Sequence, residues 1–350
     1  MRSNNLVWMM AATAALAVPA VRAEAPDRAR VKEAVEKGVS RVLASGPSFV
    51  KVSGCVSCHN NTLPVMAASL ARERGLKVDT QTERQQLKAI IGVTTPMREP
   101  LLEATYAVPD TQVSLPYILL AMHAEHSPAD ELTSAAVHGI AAKQLPDGSW
   151  PNYINRAPLE NGAIQATALS VRAIQLYGMP GRSAEWKRRT ADAREWLSKA
   201  VPKTTEDKVM LVSGLAWSGA LPDVVNRAAQ RLISEQRADG GWAQLANLES
   251  DAYATGKALV ALHEAGVLKT GDDVYRRGVE YLLKTQQEDG TWLVKTRAFP
   301  FQPLKESGFP HGRDQWISAA GTSWAAMALA YTIEPQPEPT VASLGVTLHR

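Results

Sequence analysis

One seven-residue pattern, present three times, constrains this chain more than any other feature. It is "QLPDGSW" from Gln144 to Trp150, "QRADGGW" from Gln236 to Trp242 and "QQEDGTW" from Gln286 to Trp292. Each copy reads Q-x-x-D-G-x-W. The Asp-Gly step favours a tight turn, because glycine reaches positive φ and aspartate bonds nearby backbone. A helical segment precedes each copy; a loop and a second helix rich in small residues follow it. Those second helices read "AIQATALSVRAIQLYG", "DAYATGKALVALHEAG" and "SAAGTSWAAMALAY". In the first, Ile164, Ala168, Val171 and Ile174 recur at helical spacing. Nine Trp against four Phe fit tryptophans placed by a recurring local structure.

Gln144 to Gln236 is 92 positions and Gln236 to Gln286 is 50, so a helix pair without the motif fills the longer gap. That pair is "SAEWKRRTADAREWLSKA" with "TEDKVMLVSGLAWSGA". Upstream, "TERQQLKAIIG" pairs with "TQVSLPYILLAMHAEH", and "APDRARVKEAVEKGVSRVLAS" with "TLPVMAASLARERG". Repetition at this period indicates stacked helix pairs. Six pairs can close on themselves, so the expected fold is all-α: an (α/α)6 toroid over residues 24–332, with six inner and six outer helices. Residues 333–350 are expected to form a Pro-rich, poorly ordered tail.

The first residues, "MRSNNLVWMMAATAALAVPAVRA", have the charge, apolar stretch and small-residue end of a secretory signal peptide over residues 1–23. Export, most simply to a bacterial periplasm, is the expectation. No other stretch is long and apolar enough to span a membrane. The formal charge is +3, and removing Arg2 and Arg22 with the leader leaves +1, which gives no electrostatic reason to expect nucleic-acid binding.

The Q-x-x-D-G-x-W copies and the Thr-Ala helix starts resemble squalene-hopene cyclases and related terpenoid cyclases, as does "SGFPHGRDQWISAAGTSWAAMAL". The resemblance covers about residues 128 to 332 and implies the α/α toroid that protein prenyltransferases also use. It implies little chemistry. Squalene-hopene cyclases protonate an alkene from a D-x-D-D-T-A acid cluster at an inner-helix start. Here the matching stretch is "DAYATG": Asp251 keeps the first acid, while Tyr253 and Ala254 replace the next two. Tyrosine, with a pKa of about 10, cannot protonate an alkene, so that cyclisation route is not expected. Asp251 is expected to cap a helix. Prenyltransferase metal chemistry needs a cysteine, and none lies beyond Cys58.

Both cysteines sit in "SGCVSCHNN", where Cys55, Cys58 and His59 spell C-x-x-C-H, the attachment signature of c-type haem. In that reading the thiols anchor one covalent haem c and His59 is the proximal iron ligand. A local disulfide and a zinc site lacking two further ligands are the alternatives. The segment is expected in the first outer-to-inner connection, over the toroid mouth. Candidate distal ligands at that mouth are His311 and Met97, whereas Met66 follows His59 too closely. Arg156, Arg297 and Arg313 are candidates for haem propionates. The leading expectation is electron transfer or haem-based redox and ligand chemistry, with a redox partner protein. The alternatives are a haem-free cyclase-like enzyme or binder of a hydrophobic isoprenoid-type small molecule in the toroid cavity, or a protein-binding scaffold.

Overall fold

The computed structural model describes residues 27–105, 111–300 and 303–335. The expected signal peptide and nearly all of the expected tail lie outside these residues. Thirteen α-helices are described. The outer helices are α1 (Arg28–Ser53), α3 (Thr80–Thr94), α6 (Glu131–Ala141), α8 (Ser183–Lys199), α10 (Pro222–Ile233) and α12 (Asp273–Thr285). The inner ones are α2 (Leu63–Glu73), α5 (Thr111–Ala124), α7 (Ala163–Tyr177), α9 (Thr205–Trp217), α11 (Ala252–Glu264) and α13 (Gln315–Ala330). One short extra helix, α4 (Arg98–Leu102), packs on α6. Each inner helix packs on the next, and α13 closes the ring onto α2 and α1. The only strands among the described residues are β1 (Trp242–Ala243) and β2 (Ser250–Asp251), a two-residue antiparallel pair. The expected all-α (α/α)6 toroid is the observed fold.

Burial distinguishes the two rings. Every residue of α13 except Trp316 is buried, so this helix meets protein on all sides. On α10 only Val225, Ala228, Ala229 and Leu232 are buried, a single stripe facing inward. Small residues let the inner helices approach closely. A Cβ on Gly256 of α11 would stand 2.6 Å from the Ala325 nitrogen of α13.

The three repeated loops share one set of bonds. The indole Nε1 of Trp150, Trp242 and Trp292 donates to the outer-helix carbonyls of Ile140, Leu232 and Leu282 at 2.7, 2.8 and 2.8 Å. Their backbone N–H groups donate to Thr167, Thr255 and Thr322 on the inner helices, at 2.9, 2.9 and 3.1 Å. Each tryptophan therefore ties an outer helix to its inner partner. Each glutamine spans sideways: Gln144, Gln236 and Gln286 donate to Arg189 O, Val274 O and Ala34 O on the next outer helix. The last of these joins α12 to α1 and so closes the outer ring. Asp147, Asp239 and Asp289 accept from the backbone two residues on, as turn residues do.

Two local features differ from expectation. α1 runs on through Pro47 to Ser53 instead of ending near Ser45. Cys58 and His59 are not in a loop: residues Cys58–Thr62 form a π-helical turn that leads directly into α2. Ser57 caps that turn by accepting from Asn60 N.

Candidate functional site

The mouth at the N-terminal ends of the inner helices is built around His59, which is 3% exposed. Its ring meets Phe49 and Trp316 edge-on, with centroids 5.4 and 5.8 Å away. Nδ1 lies 2.5 Å from Asn60 Oδ1 and 3.4 Å from Ser57 Oγ. Asn60 is held in turn, since its Nδ2 donates to Ser45 Oγ at 2.9 Å. Because Oδ1 only accepts, Nδ1 carries the proton and Nε2 presents a lone pair. Nε2 has no hydrogen-bond partner among the described residues. Burial, with the nearby Arg156 guanidinium, pushes the imidazole down to about 3, so it is neutral.

His59 lies between two cavities of 380 and 320 Å³ that share Phe49, Arg156, Pro303 and Lys305. Cys55, Cys58 and Met97 line the larger one, beside the apolar Val56, Val93 and Ile118. Arg313 and Trp316 line the smaller. Neither thiol is in a disulfide; Cys55 is exposed and Cys58 buried. Burial pushes the Cys58 thiol up to about 12. Among the described residues no three His, Cys, Asp or Glu side chains converge as a metal site, which leaves the zinc alternative without its ligands.

The two distal candidates separate. Met97, in a 3₁₀ turn after α3, shares the larger cavity with His59. His311 lines neither cavity; its Nε2 is 2.8 Å from Thr291 Oγ1 and its ring lies against Phe309. Met66 faces the opposite end of the toroid. Of the three arginines, Arg156 and Arg313 line these cavities, while Arg297 instead donates to Gln244 Oε1 at 2.8 Å.

Asp251 caps α11 as expected, accepting from Ala254 N at 2.9 Å. The structure adds an acid that the sequence reading did not find. Glu206, the second residue of α9, is 3% exposed and accepts from Lys257 Nζ at 2.5 Å, Gln165 Nε2 at 2.7 Å and Tyr253 Oη at 3.2 Å. A lysine interrupting the apolar helix "ATGKALVALHEAG" was the signal available for it. Burial favours the neutral form of both partners, raising Glu206 and lowering Lys257. The Tyr253 hydroxyl, at the position of the missing central acid, serves this pair.

Beyond the pair lies a third cavity, of 290 Å³, at the C-terminal ends of the inner helices. Its lining mixes apolar residues, including Leu120, Leu169, Met210 and Trp217, with polar ones such as Glu73, His123, Arg172 and Glu264. Lys257, Tyr117 and Trp324 also line it.

Comparison with known proteins bears on fold and family. Residues 209–312 match the squalene-hopene cyclase C-terminal domain. The drimenyl diphosphate synthase of Streptantibioticus cattleyicolor is 25% identical over 253 residues, covering 67% of this chain and 43% of that protein. The squalene-hopene cyclase of Bradyrhizobium diazoefficiens is 26% identical over 189 residues, covering 44% of this chain and 28% of that one. The chain thus spans less than half the length of these curated relatives. A protein from Actinoplanes aligns with a TM-score of 0.56 at 14% identity, over 86% of this chain and 99% of the other. An apo variant of the type II terpene cyclase MstE from Scytonema aligns with a TM-score of 0.51 at 12% identity, over 85% and 98%. None of these matches bears on the C-x-x-C-H segment's chemistry. The fold is thus an α/α toroid in which residues 209–312 are similar to the squalene-hopene cyclase C-terminal domain.

Proposed function

We propose that this toroid carries one covalent c-type haem at its N-terminal mouth and acts in electron transfer or haem-based ligand chemistry outside the cytoplasm. The observation that carries the reading is the His59 imidazole. It is buried and neutral, its Nδ1 proton is committed to Asn60, and its Nε2 lone pair is unpartnered in a cavity bordered by Cys55, Cys58 and Met97. With no protein group among the described residues bonded to it and the residue lining both mouth cavities, that nitrogen is open to a ligand. An apolar wall flanked by Arg313 and Lys305, with Arg156 held by Glu160 at 2.9 Å, suits a flat apolar ring system with an anionic edge. Bound there, haem would supply a one-electron couple; His59 would hold its iron and the two thiols would fix its edge. Expression in the periplasm of a host with haem-attachment machinery tests this. Covalent haem staining and an intact mass of polypeptide plus one haem are expected; the mass of the bare chain overturns it.

A second reading concerns the opposite end, and the similarity to cyclases favours it over the first. The 290 Å³ cavity sets apolar walls such as Leu120, Leu169, Met210 and Trp217 beside polar and charged groups, a mixture that can hold and orient a small molecule. We infer that it binds an apolar, isoprenoid-class ligand without cyclising it, since near the family's protonation position Glu206 is tied to Lys257 and Asp251 is engaged as the cap of α11. Incubation with squalene or shorter polyprenes is expected to return them unchanged. A cyclic product that disappears in Glu206→Gln or Asp251→Asn overturns the non-cyclising assignment.

A further inference from the structure

The floor of the cavity at the C-terminal end combines three groups that an apolar pocket ordinarily lacks. Lys257 lines it while being only 3% exposed, and its Nζ lies 5.1 Å from the Trp324 ring centroid. Tyr117 Oη is 3.3 Å from Nζ, and Tyr253 Oη 3.4 Å. Trp324 is 7% exposed and its indole Nε1–H is buried without a hydrogen-bond partner among the described residues.

We propose that Lys257 is a covalent binding residue: its amine condenses with an apolar aldehyde seated in this cavity to give an imine, with Glu206 as the proton-transfer partner. The proposal rests on the reading that this cavity takes an apolar ligand. Nζ gives one proton to Glu206 Oε1, 2.5 Å away, and becomes a free amine. Nitrogen then attacks the carbonyl carbon, forming a C–N bond while the C=O π electrons move to oxygen. Glu206 protonates the resulting alkoxide, takes a second proton from nitrogen and passes it to the hydroxyl; the C–O bond then breaks as the nitrogen lone pair forms the C=N bond, and water leaves carrying two hydrogens that began on nitrogen. The imine nitrogen keeps the remaining proton, with the Glu206 carboxylate as its counter-ion. Ammonium plus aldehyde thus give protonated imine plus water, with no oxidant or reductant required. Burial, which lowers Lys257 and raises Glu206, eases the first transfer.

The full chain is incubated with geranial, a ten-carbon aldehyde, and separately with geraniol, the alcohol of the same skeleton; cyanoborohydride then reduces any imine. We expect a mass gain of one geranial less one oxygen, mapped by peptide mass spectrometry to Lys257 ahead of the surface lysines. Lys257→Met is expected to lose it. Because that change strands Glu206, the double variant Lys257→Met/Glu206→Gln, which removes both charges, is examined alongside it. Geraniol binding with Lys257 unmodified overturns the imine and leaves the apolar-ligand reading standing. Failure of both probes to bind overturns that reading and the imine with it.

Discussion

At His59 the two ring nitrogens have different surroundings, and the difference decides which neighbour can complete the coordination of an iron held there. His59 and Met97 line one cavity together, whereas His311 has its own Nε2 bonded to Thr291 and lines neither mouth cavity. In haem-loaded protein, Met97→Ala should therefore convert a low-spin six-coordinate spectrum to high spin and remove the sulfur-to-iron absorption band. His311→Ala should leave the spectrum intact. The reverse pattern would assign the distal position to His311. A second residue-scale prediction concerns Glu83 on α3, which is 1% exposed, with Oε1 unpartnered and Oε2 3.4 Å from Arg72 Nε. Burial, with a hydrogen bond to Glu125 and that group's charge, raises it from 4.5 to about 7. A raised folded value makes its contribution to stability full below pH 4.5 and lost as pH rises through about 7. Urea denaturation of the parent should show a decline on the order of 2 kcal/mol between pH 5 and 8 from this group. Glu83→Gln should flatten that decline; an unchanged slope would place its cause elsewhere.

Among the elements, the loop from Gln286 to Trp292 carries the heaviest structural demand, because it joins the last outer helix to the first. Gln286 Nε2 donates to both Gly290 O and Ala34 O at 2.9 Å. Gly290 has φ +89°, and a Cβ there would come within 2.6 Å of Lys37. Gln286→Ala should cost about 1–2 kcal/mol and accelerate amide exchange in α1. Gly290→Ala should cost more, since the backbone conformation and the α1 contact both resist the methyl group. Unchanged exchange in α1 would mean that the inner helices alone hold the ring closed. These loops were readable in the sequence because one local bonding scheme uses the same residues at the same spacing three times, which also revealed the helix pairing. The π-helical entry to α2 was not readable: the Ser57 cap and the hold of Ser45 on Asn60 bring together residues whose spacing follows no helical period. Glu206 and Lys257 were hidden for a related reason. They lie 51 positions apart on two inner helices and meet only when the ring has formed. The distinction between Met97 and His311 likewise depended on which cavity each connection lines.

On the scale of the whole molecule, parallel stacking of six helix pairs places unlike chemistry at the two ends of one barrel. Inner-helix starts and the connections before them surround His59, while inner-helix ends surround the apolar cavity. Between them lies the layer of Glu206, Gln165, Tyr253 and Lys257, all 3% exposed or less. Such a layer has its polar groups bonded to one another, and of its four residues Lys257 alone lines the apolar cavity while none lines the mouth cavities, so it can separate the ends as a wall does. Leu120 lines only the apolar cavity and His59 only the mouth cavities. Leu120→Trp should therefore fill the apolar cavity and lower geraniol affinity by at least about 10-fold, a loss of about 1.4 kcal/mol, while leaving the haem spectrum unchanged. His59→Ala should alter the spectrum and change geraniol affinity less than about 2-fold. Titrating geraniol into both variants while recording the visible spectrum checks both expectations together. A spectrum that shifts on filling the apolar cavity would show instead that the layer transmits between the ends. By linkage, geraniol affinity would then have to respond to the state of the iron by the same factor.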